Sequence, residues 1–205
     1  MPSLADDRSA VFANIRRALS TREETAKTAL PEWDPAFVVC NPPKAFTSLA
    51  EHFRFKFEAT AAIVVQGWQE LLTFLGSQNV ERGYVDPSLA AEVKDFPFTI
   101  EHTFDRARVD EYQFGITRAT AAIAETGSLI LTESGTSSRI GALAPWLHVA
   151  VLETSTILPD MPAAIASFGS ERSCLFVTGP SKTADVEGIL IQGVHGPGVQ
   201  VCCLV

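Results

Sequence analysis

Apolar positions along the chain alternate between helical spacing and short unbroken runs, and the change from one to the other marks out the elements. Leu4, Val11, Phe12, Ile15 and Leu19 fall on one face and predict an amphipathic helix from Leu4 to Leu19. Asp6 and Asp7 sit near its start and Arg16 and Arg17 near its end, an arrangement that complements the helix dipole. From Ser20 to Pro43 the periodicity is lost and Pro31, Pro35, Pro42 and Pro43 gather. That stretch reads as a linker, which lets the first helix dock at a distance on its own subunit or on a partner. Residues 44–205 then form the main domain. The pattern gives a helix from Phe46 to Phe57, a strand from Ala61 to Val65, a helix from Trp68 to Leu75 and a strand from Arg82 to Val85. Pro87 opens a third, short helix. Such alternation implies a parallel sheet covered by helices.

Two runs, Ala121–Ala124 and Ser128–Leu131, read as strands joined through Glu125-Thr126-Gly127, where Gly127 can take a positive φ and close a hairpin. A hydroxyl-rich stretch, Thr132 to Arg139, precedes a helix over Ile140 to Leu147 and a strand over His148 to Leu152. A helix from Met161 to Phe168 leads to a buried strand, Cys174-Leu175-Phe176-Val177. Ile189 to Gln192 and Val199 to Leu204 close the chain as strands. The last is strongly apolar and belongs inside a sheet rather than at its edge.

Composition narrows the function. With 205 residues, 46% of them hydrophobic and 20% charged, the chain folds as one ordinary domain with a short appendage. A net charge of -8 disfavours nucleic acid and anionic membrane surfaces as partners. No apolar run approaches the ~18 residues of a membrane span and no signal-peptide core is visible, so a cytoplasmic location is expected. Cys40, Cys174, Cys202 and Cys203 lack Cys-x-x-Cys spacing, and the four histidines lack His-x-x-x-His spacing. No intrinsic metal or cofactor is expected.

The most distinctive chemistry lies in Gly179-Pro180-Ser181-Lys182-Thr183-Ala184-Asp185-Val186-Glu187, closed off by Gly193-Val194-His195-Gly196-Pro197. Ser181 or Thr183 is placed to cap a helical turn over Ala184 to Gly188, whose unpaired backbone donors would suit a phosphate or carboxylate. Lys182 adds a cation, and Asp185 and Glu187 add carboxylates. The Walker spacing is missing, and Gly-Pro turns with hydroxyl caps are common structural punctuation. The sharper reading places Glu125, Thr126, Ser134 and Arg139 beside this loop.

Gly115-Ile116-Thr117, Ala124-Glu125-Thr126-Gly127-Ser128-Leu129, Arg139 and the two glycine-bearing loops together resemble the LUD domain family, and within it the LutC/YkgG group. The resemblance covers about residues 44 to 205. It implies a three-layer α/β sandwich of NagB/RpiA/CoA-transferase-like type, with a mostly parallel sheet, behind an N-terminal helix. It also implies a role in oxidising L-lactate to pyruvate together with iron–sulfur partner proteins, which would carry the cysteine clusters that longer relatives append and this chain lacks.

Two functions from different classes follow. In one, the chain is an enzyme subunit holding a small anionic ligand on Thr126, Ser134, Arg139, Ser181, Lys182, Thr183, Asp185 and Glu187, with Glu125 or His195 as the acid or base. In the other, it is a non-catalytic assembly or regulatory subunit that orients redox partners. Convergence of Lys182, Arg139 and His195 on one pocket would favour the first. The sequence leaves a homo-oligomer open.

Overall fold

The computed structural model describes residues 4–20, 46–184 and 189–205. The proline-bearing linker, Cys40, Asp185 and Glu187 therefore lie outside the described residues. The chain divides into two compact units, Met1–Lys44 and Ala45–Val205. The first is described through one element, α1 (Leu4–Ser20), on which Val11, Phe12, Ile15 and Leu19 are exposed.

The second unit opens with α2 (Leu49–Glu58), which Ser48 caps by accepting a hydrogen bond from the Glu51 amide at 3.1 Å. Then come β1 (Ile63–Gln66), α3 (Gly67–Ser77), β2 (Arg82–Val85), a 3₁₀ turn at Pro87–Leu89 and β3 (Thr99–Glu101). A 3₁₀ stretch at Arg106–Glu111 precedes β4 (Phe114–Arg118), β5 (Ala121–Ile123) and β6 (Ser128–Thr132). The remaining elements are α4 (Arg139–Leu143), β7 (Leu147–Leu152), β8 (Ile157–Leu158), α5 (Met161–Ser167), β9 (Cys174–Val177), β10 (Lys182–Thr183), β11 (Ile191–Gln192) and β12 (Val199–Leu204).

Six strands form a wholly parallel central sheet in the order β1-β12-β7-β4-β2-β3. The apolar strand β12 lies inside it, between β1 and β7, as its composition predicts. Alternate residues of each strand feed two cores. Val201 and Cys203 join Leu71 and Leu75 of α3 on one face, while Cys202 and Leu204 join Phe53 and Phe57 of α2 on the other. On that second face lies a smaller sheet, β8-β5-β6-β9, whose far side packs against Ala164 of α5. The layers make a three-layer α/β sandwich.

Gly127 closes the β5–β6 hairpin at φ +65, the conformation its position calls for. β9 corrects the expectation of a buried strand. It pairs only with β6, at the edge of the small sheet, so Phe176 stays partly exposed. The predicted helix over Ile140 to Leu147 is shorter, because Pro145 and the start of β7 end it at Leu143.

The helical turn expected over Ala184 to Gly188 falls, beyond Ala184, on residues 185–188, which lie outside the described residues. Lys182 and Thr183 are extended and pair antiparallel with Gln192 and Ile191. The returning strand is Ile191–Gln192, shorter than the run from Ile189 to Gln192 predicts. Gly179 (φ +91) and Gly193 (φ +79) make the reversals on either side.

Candidate functional site

In a wholly parallel sheet all strands end at one edge, and that edge is where α/β folds place ligands. Beyond Val85 of β2 come Asp86 and Pro87. Beyond Glu101 of β3 come His102, Thr103, Phe104 and Arg106. The hydroxyl-rich loop after β6 arrives over the same edge, tied down where the Thr136 hydroxyl donates to the Arg118 carbonyl at 2.9 Å. Between these segments opens a cleft of about 500 Å³, lined by Tyr84, Pro87, His102, Thr103, Phe104, Arg106, Ser137, Ser138, Arg139 and Ile140. Among the described residues that line it, the formal charges are the two guanidinium groups of Arg106 and Arg139, and none is a carboxylate, in a chain whose net charge is -8.

Asp86 organises the floor. It is 2% exposed, and its Oδ1 accepts from the Ser88 amide at 2.9 Å and the Ser88 hydroxyl at 2.8 Å. Oδ2 accepts from the Ser137 amide at 3.0 Å and the Ser137 hydroxyl at 2.8 Å. Burial pushes this carboxyl upward, but the hydrogen bonds to Ser137 and Ser88 outweigh it and hold the group below its ordinary range. Asp86 is thus a buried, fully satisfied carboxylate that fixes Ser137 in place. Tyr84, also buried, makes a short hydrogen bond with the Ser137 hydroxyl, and burial raises its phenol. His102 donates from Nδ1 to the Val85 carbonyl at 2.9 Å, since a carbonyl can only accept. Arg139 sends one Nη2 donor to the Ser173 carbonyl at 3.3 Å and keeps its other donors for the cleft.

The residues predicted from sequence fall into two groups. Arg139 lines the cleft. Ser134 lies on the same side, donating to Glu171, while Arg139 reaches Ser173, also just before β9. At the other end of β6, the Thr126 hydroxyl lies 2.7 Å from that of Ser128, which lies 2.7 Å from that of Thr178. There Lys182 donates from Nζ to the Thr60 carbonyl, just after α2. The pairing of Thr132 with Cys174 and of Leu129 with Val177, three residues further along, sets these ends about 10 Å apart. The two glycine-bearing loops do meet. The Ser181 amide donates to the Pro197 carbonyl and the Gly193 amide to the Ser181 carbonyl, both at 2.9 Å. Gly193 and Gly198 press on the ring of Trp146, just before β7, so these loops sit at the opposite edge of the central sheet. Glu125 and His195 are exposed, and neither lines the cleft. Arg139 and Lys182 share no pocket.

Sequence reasoning missed Tyr84, Asp86, His102, Arg106, Ser137 and Ser138. Their shared signal is position at or just past a strand end or on the loop facing it, and it is readable only once β3 and β4 are recognised. Cys202 and Cys203 are buried in the central strand; burial raises both thiols, that of Cys203 to about 12, so neither is a nucleophile at neutral pH. Among the described residues no three His, Cys, Asp or Glu side chains gather as a metal site, and no helix is long and apolar enough to cross a membrane.

The sequence profile of the LUD domain matches residues 76–205, which takes in every strand from β2 to β12 and every residue of the cleft. The chain belongs to the LUD domain family. Lactate utilization protein C of Bacillus licheniformis is 36% identical over 98 residues, 44% of this chain and 41% of that protein. The protein of that name from Bacillus subtilis is 35% identical over 98 residues, with the same shares. That from Halalkalibacterium halodurans is 33% identical over 106 residues, 48% of this chain and 46% of its own. These matches make this a LutC-like LUD protein. The alignments span less than half the length of these relatives. In fold, the LUD domain here is similar to a DUF162 family protein from Deinococcus radiodurans, with a TM-score of 0.55 at 20% identity, over 80% of this chain and 100% of that one.

Proposed function

We propose that this LUD protein is a component of an L-lactate utilisation system and binds a small carboxylate in the cleft at the C-terminal edge of β2, β3 and β4. The observation that carries the reading is the pair Arg106 and Arg139, the only formal charges among the described residues of the cleft wall, in a chain whose net charge is -8. Guanidinium groups stay ionised at any working pH and match a carboxylate with paired donors. The relatives' name, lactate utilization protein C, supplies the class of carboxylate.

Oxidising a 2-hydroxy acid to the 2-oxo acid releases two electrons and two protons. In this reading the two electrons leave to iron–sulfur partner proteins, the proton from C2 passes to solvent, and the chain's own residues handle binding and the hydroxyl proton. His102 is suited to that proton, because its Nδ1 donor is fixed on the Val85 carbonyl and its Nε2 is the basic atom. It takes the role that sequence reasoning gave to Glu125 or His195.

A thermal-shift titration with L-lactate, pyruvate, phosphate, nucleotides and coenzyme A tests the reading. A ligand at about 100 times its dissociation constant adds roughly 2.7 kcal/mol to a folded state that alone binds it. Lactate or pyruvate is expected to raise the melting temperature, and Arg139→Ala to remove the shift. A shift that survives Arg139→Ala but disappears in Lys182→Ala would move the site to the Gly179 loop. No shift with any of these ligands would favour the assembly-subunit alternative.

A further inference from the structure

The small sheet ends on one side in β8, two residues long and followed by Pro159, and on the other in β9. β9 pairs with β6 in an unbroken antiparallel register, from Thr132 opposite Cys174 to Leu129 opposite Val177. The phase of that ladder is set one step further on, where the Glu133 amide donates to the Ser173 carbonyl at 3.2 Å. Antiparallel pairs alternate between those that exchange hydrogen bonds and those that do not. Ser173, Leu175 and Val177 therefore turn their N–H and C=O groups towards β6. Cys174 and Phe176 turn theirs to the open edge, where β9 has no neighbouring strand among the described residues. Sheet edges are ordinarily guarded by charge, proline or a bulge. From Ser173 to Thr178 this edge has none of them: no residue is charged, none is proline, and the register is regular. Its side chains are apolar on both faces. Leu175 and Val177 pack towards Phe53 and Phe57 of α2. Phe176 lies against Phe168 at the end of α5, with ring centroids 5.9 Å apart, and is still 39% exposed.

We infer that β9 is a dimerisation edge and that its occupant is β9 of a second copy of this chain. A two-fold axis normal to the sheet at Leu175 sets the two strands antiparallel. Cys174 of each copy then lies opposite Phe176 of the other. These are the residues whose backbone groups face outward, so four hydrogen bonds form across the axis and every outward donor and acceptor of both residues is satisfied. No foreign strand is needed to match the edge, because the edge matches itself. The two-fold also keeps both Phe176 rings on the α5 face, where each gains the opposite Cys174 as a cross-strand neighbour. The joined sheet takes four strands from each copy and ends on both sides in β8. Two residues followed by Pro159 offer little for another strand to pair with, so the assembly closes at two copies instead of growing into a fibre.

Sedimentation equilibrium of the purified full chain over a range of concentrations tests the dimer. The expected result is a reversible equilibrium between the chain mass of 22.1 kDa and twice that mass. Phe176→Pro removes an outward N–H and leaves every bond to β6 in place, the one setting in which a strand accepts proline. It is expected to weaken association about tenfold or more. Phe176→Lys puts a charge on the same edge and is expected to do likewise, which decides the matter should proline disturb the fold. Hydrogen exchange gives a second readout. The Cys174 and Phe176 amides are expected to become protected over the same concentrations that produce the dimer. A monomer at every concentration, or a dimer that both variants leave intact, would overturn the inference.

Discussion

Gly115→Ala is expected to cost the domain about 3 kcal/mol or more and to remove ligand binding with it. A β-carbon at this position of β4 would lie 1.9 Å from the carbonyl oxygen of Gly141 and 3.2 Å from the Pro145 ring. The first of these is backbone and cannot rotate away. Gly141 is in turn pressed on Tyr84, where an added β-carbon would come within 2.3 Å of the ring. The two glycines let α4 lie directly on the central sheet, and α4 begins with Arg139 and is capped by Ser138, both on the cleft wall. A strain introduced at Gly115 therefore reaches the site. Gly76 provides the contrast. It sits in α3 with nothing within 4 Å of an added β-carbon, so Gly76→Ala is expected to add about 0.5–1 kcal/mol through helix propensity alone. Urea unfolding of the two variants checks both signs. A Gly115→Ala protein as stable as the parent would show that α4 can lift off the sheet without cost.

Stability is expected to fall by about 3 kcal/mol as the pH drops from above 6.5 to 4, with His148 as the main cause. His148 is fully buried on the middle strand of the core. Its Nδ1 lies 2.9 Å from the Gln200 side-chain oxygen on β12, and its Nε2 lies 2.9 Å from the Thr117 hydroxyl on β4. An amide oxygen only accepts, so Nδ1 carries the proton and Thr117 donates to Nε2. Both ring atoms are satisfied in the neutral form. Burial lowers the ring from 6.5 to about 4, against the opposing effect of Gln200. The unfolded chain takes up a proton below pH 6.5 and the folded chain does so only near 4, so the stabilisation is complete above 6.5 and lost across that interval. Asp86 contributes at lower pH, since its carboxyl is held below its ordinary value. His148→Gln keeps an acceptor and a donor in the core but cannot titrate. Its stability is expected to vary much less between pH 6.5 and 4. An equal slope in the two proteins would assign the acid sensitivity to other groups.

Much of the fold was legible in the chain because burial in this architecture leaves simple patterns. The run Val199–Leu204 is apolar on both faces from Val201 onward, and it is the strand whose alternate residues fill both cores. Glu125-Thr126-Gly127 reads as a hairpin because only glycine takes φ +65 at no steric cost, and Pro87 reads as a helix start because proline suits the first helical position. Other parts were hidden by length and context. β3 has three residues and β4 contains a glycine selected for close contact with α4, so neither shows a strand pattern strong enough to read. Without them the edge that collects Asp86, His102, Arg106 and Ser137 has no place in the sequence. The Gly179 loop drew attention because its residue types match an anion cradle; the backbones of Lys182 and Thr183 pair with β11 and the Lys182 ammonium donates to the Thr60 carbonyl. Arg139 was found from its hydroxyl-rich neighbourhood, and that neighbourhood is the part of the candidate site that sequence order keeps together.

A ligand held as proposed enters at the C-terminal edge of the sheet rather than at the glycine-bearing loops. Amide chemical-shift mapping of the isotope-labelled protein during a titration with L-lactate distinguishes the two edges. Shifts are expected at His102 to Arg106 and at Ser137 to Ile140, with Ser181, Lys182 and His195 unmoved. Shifts confined to Ser181–Thr183 and Gly193–Gly196 would contradict it and return the anion site to the opposite edge.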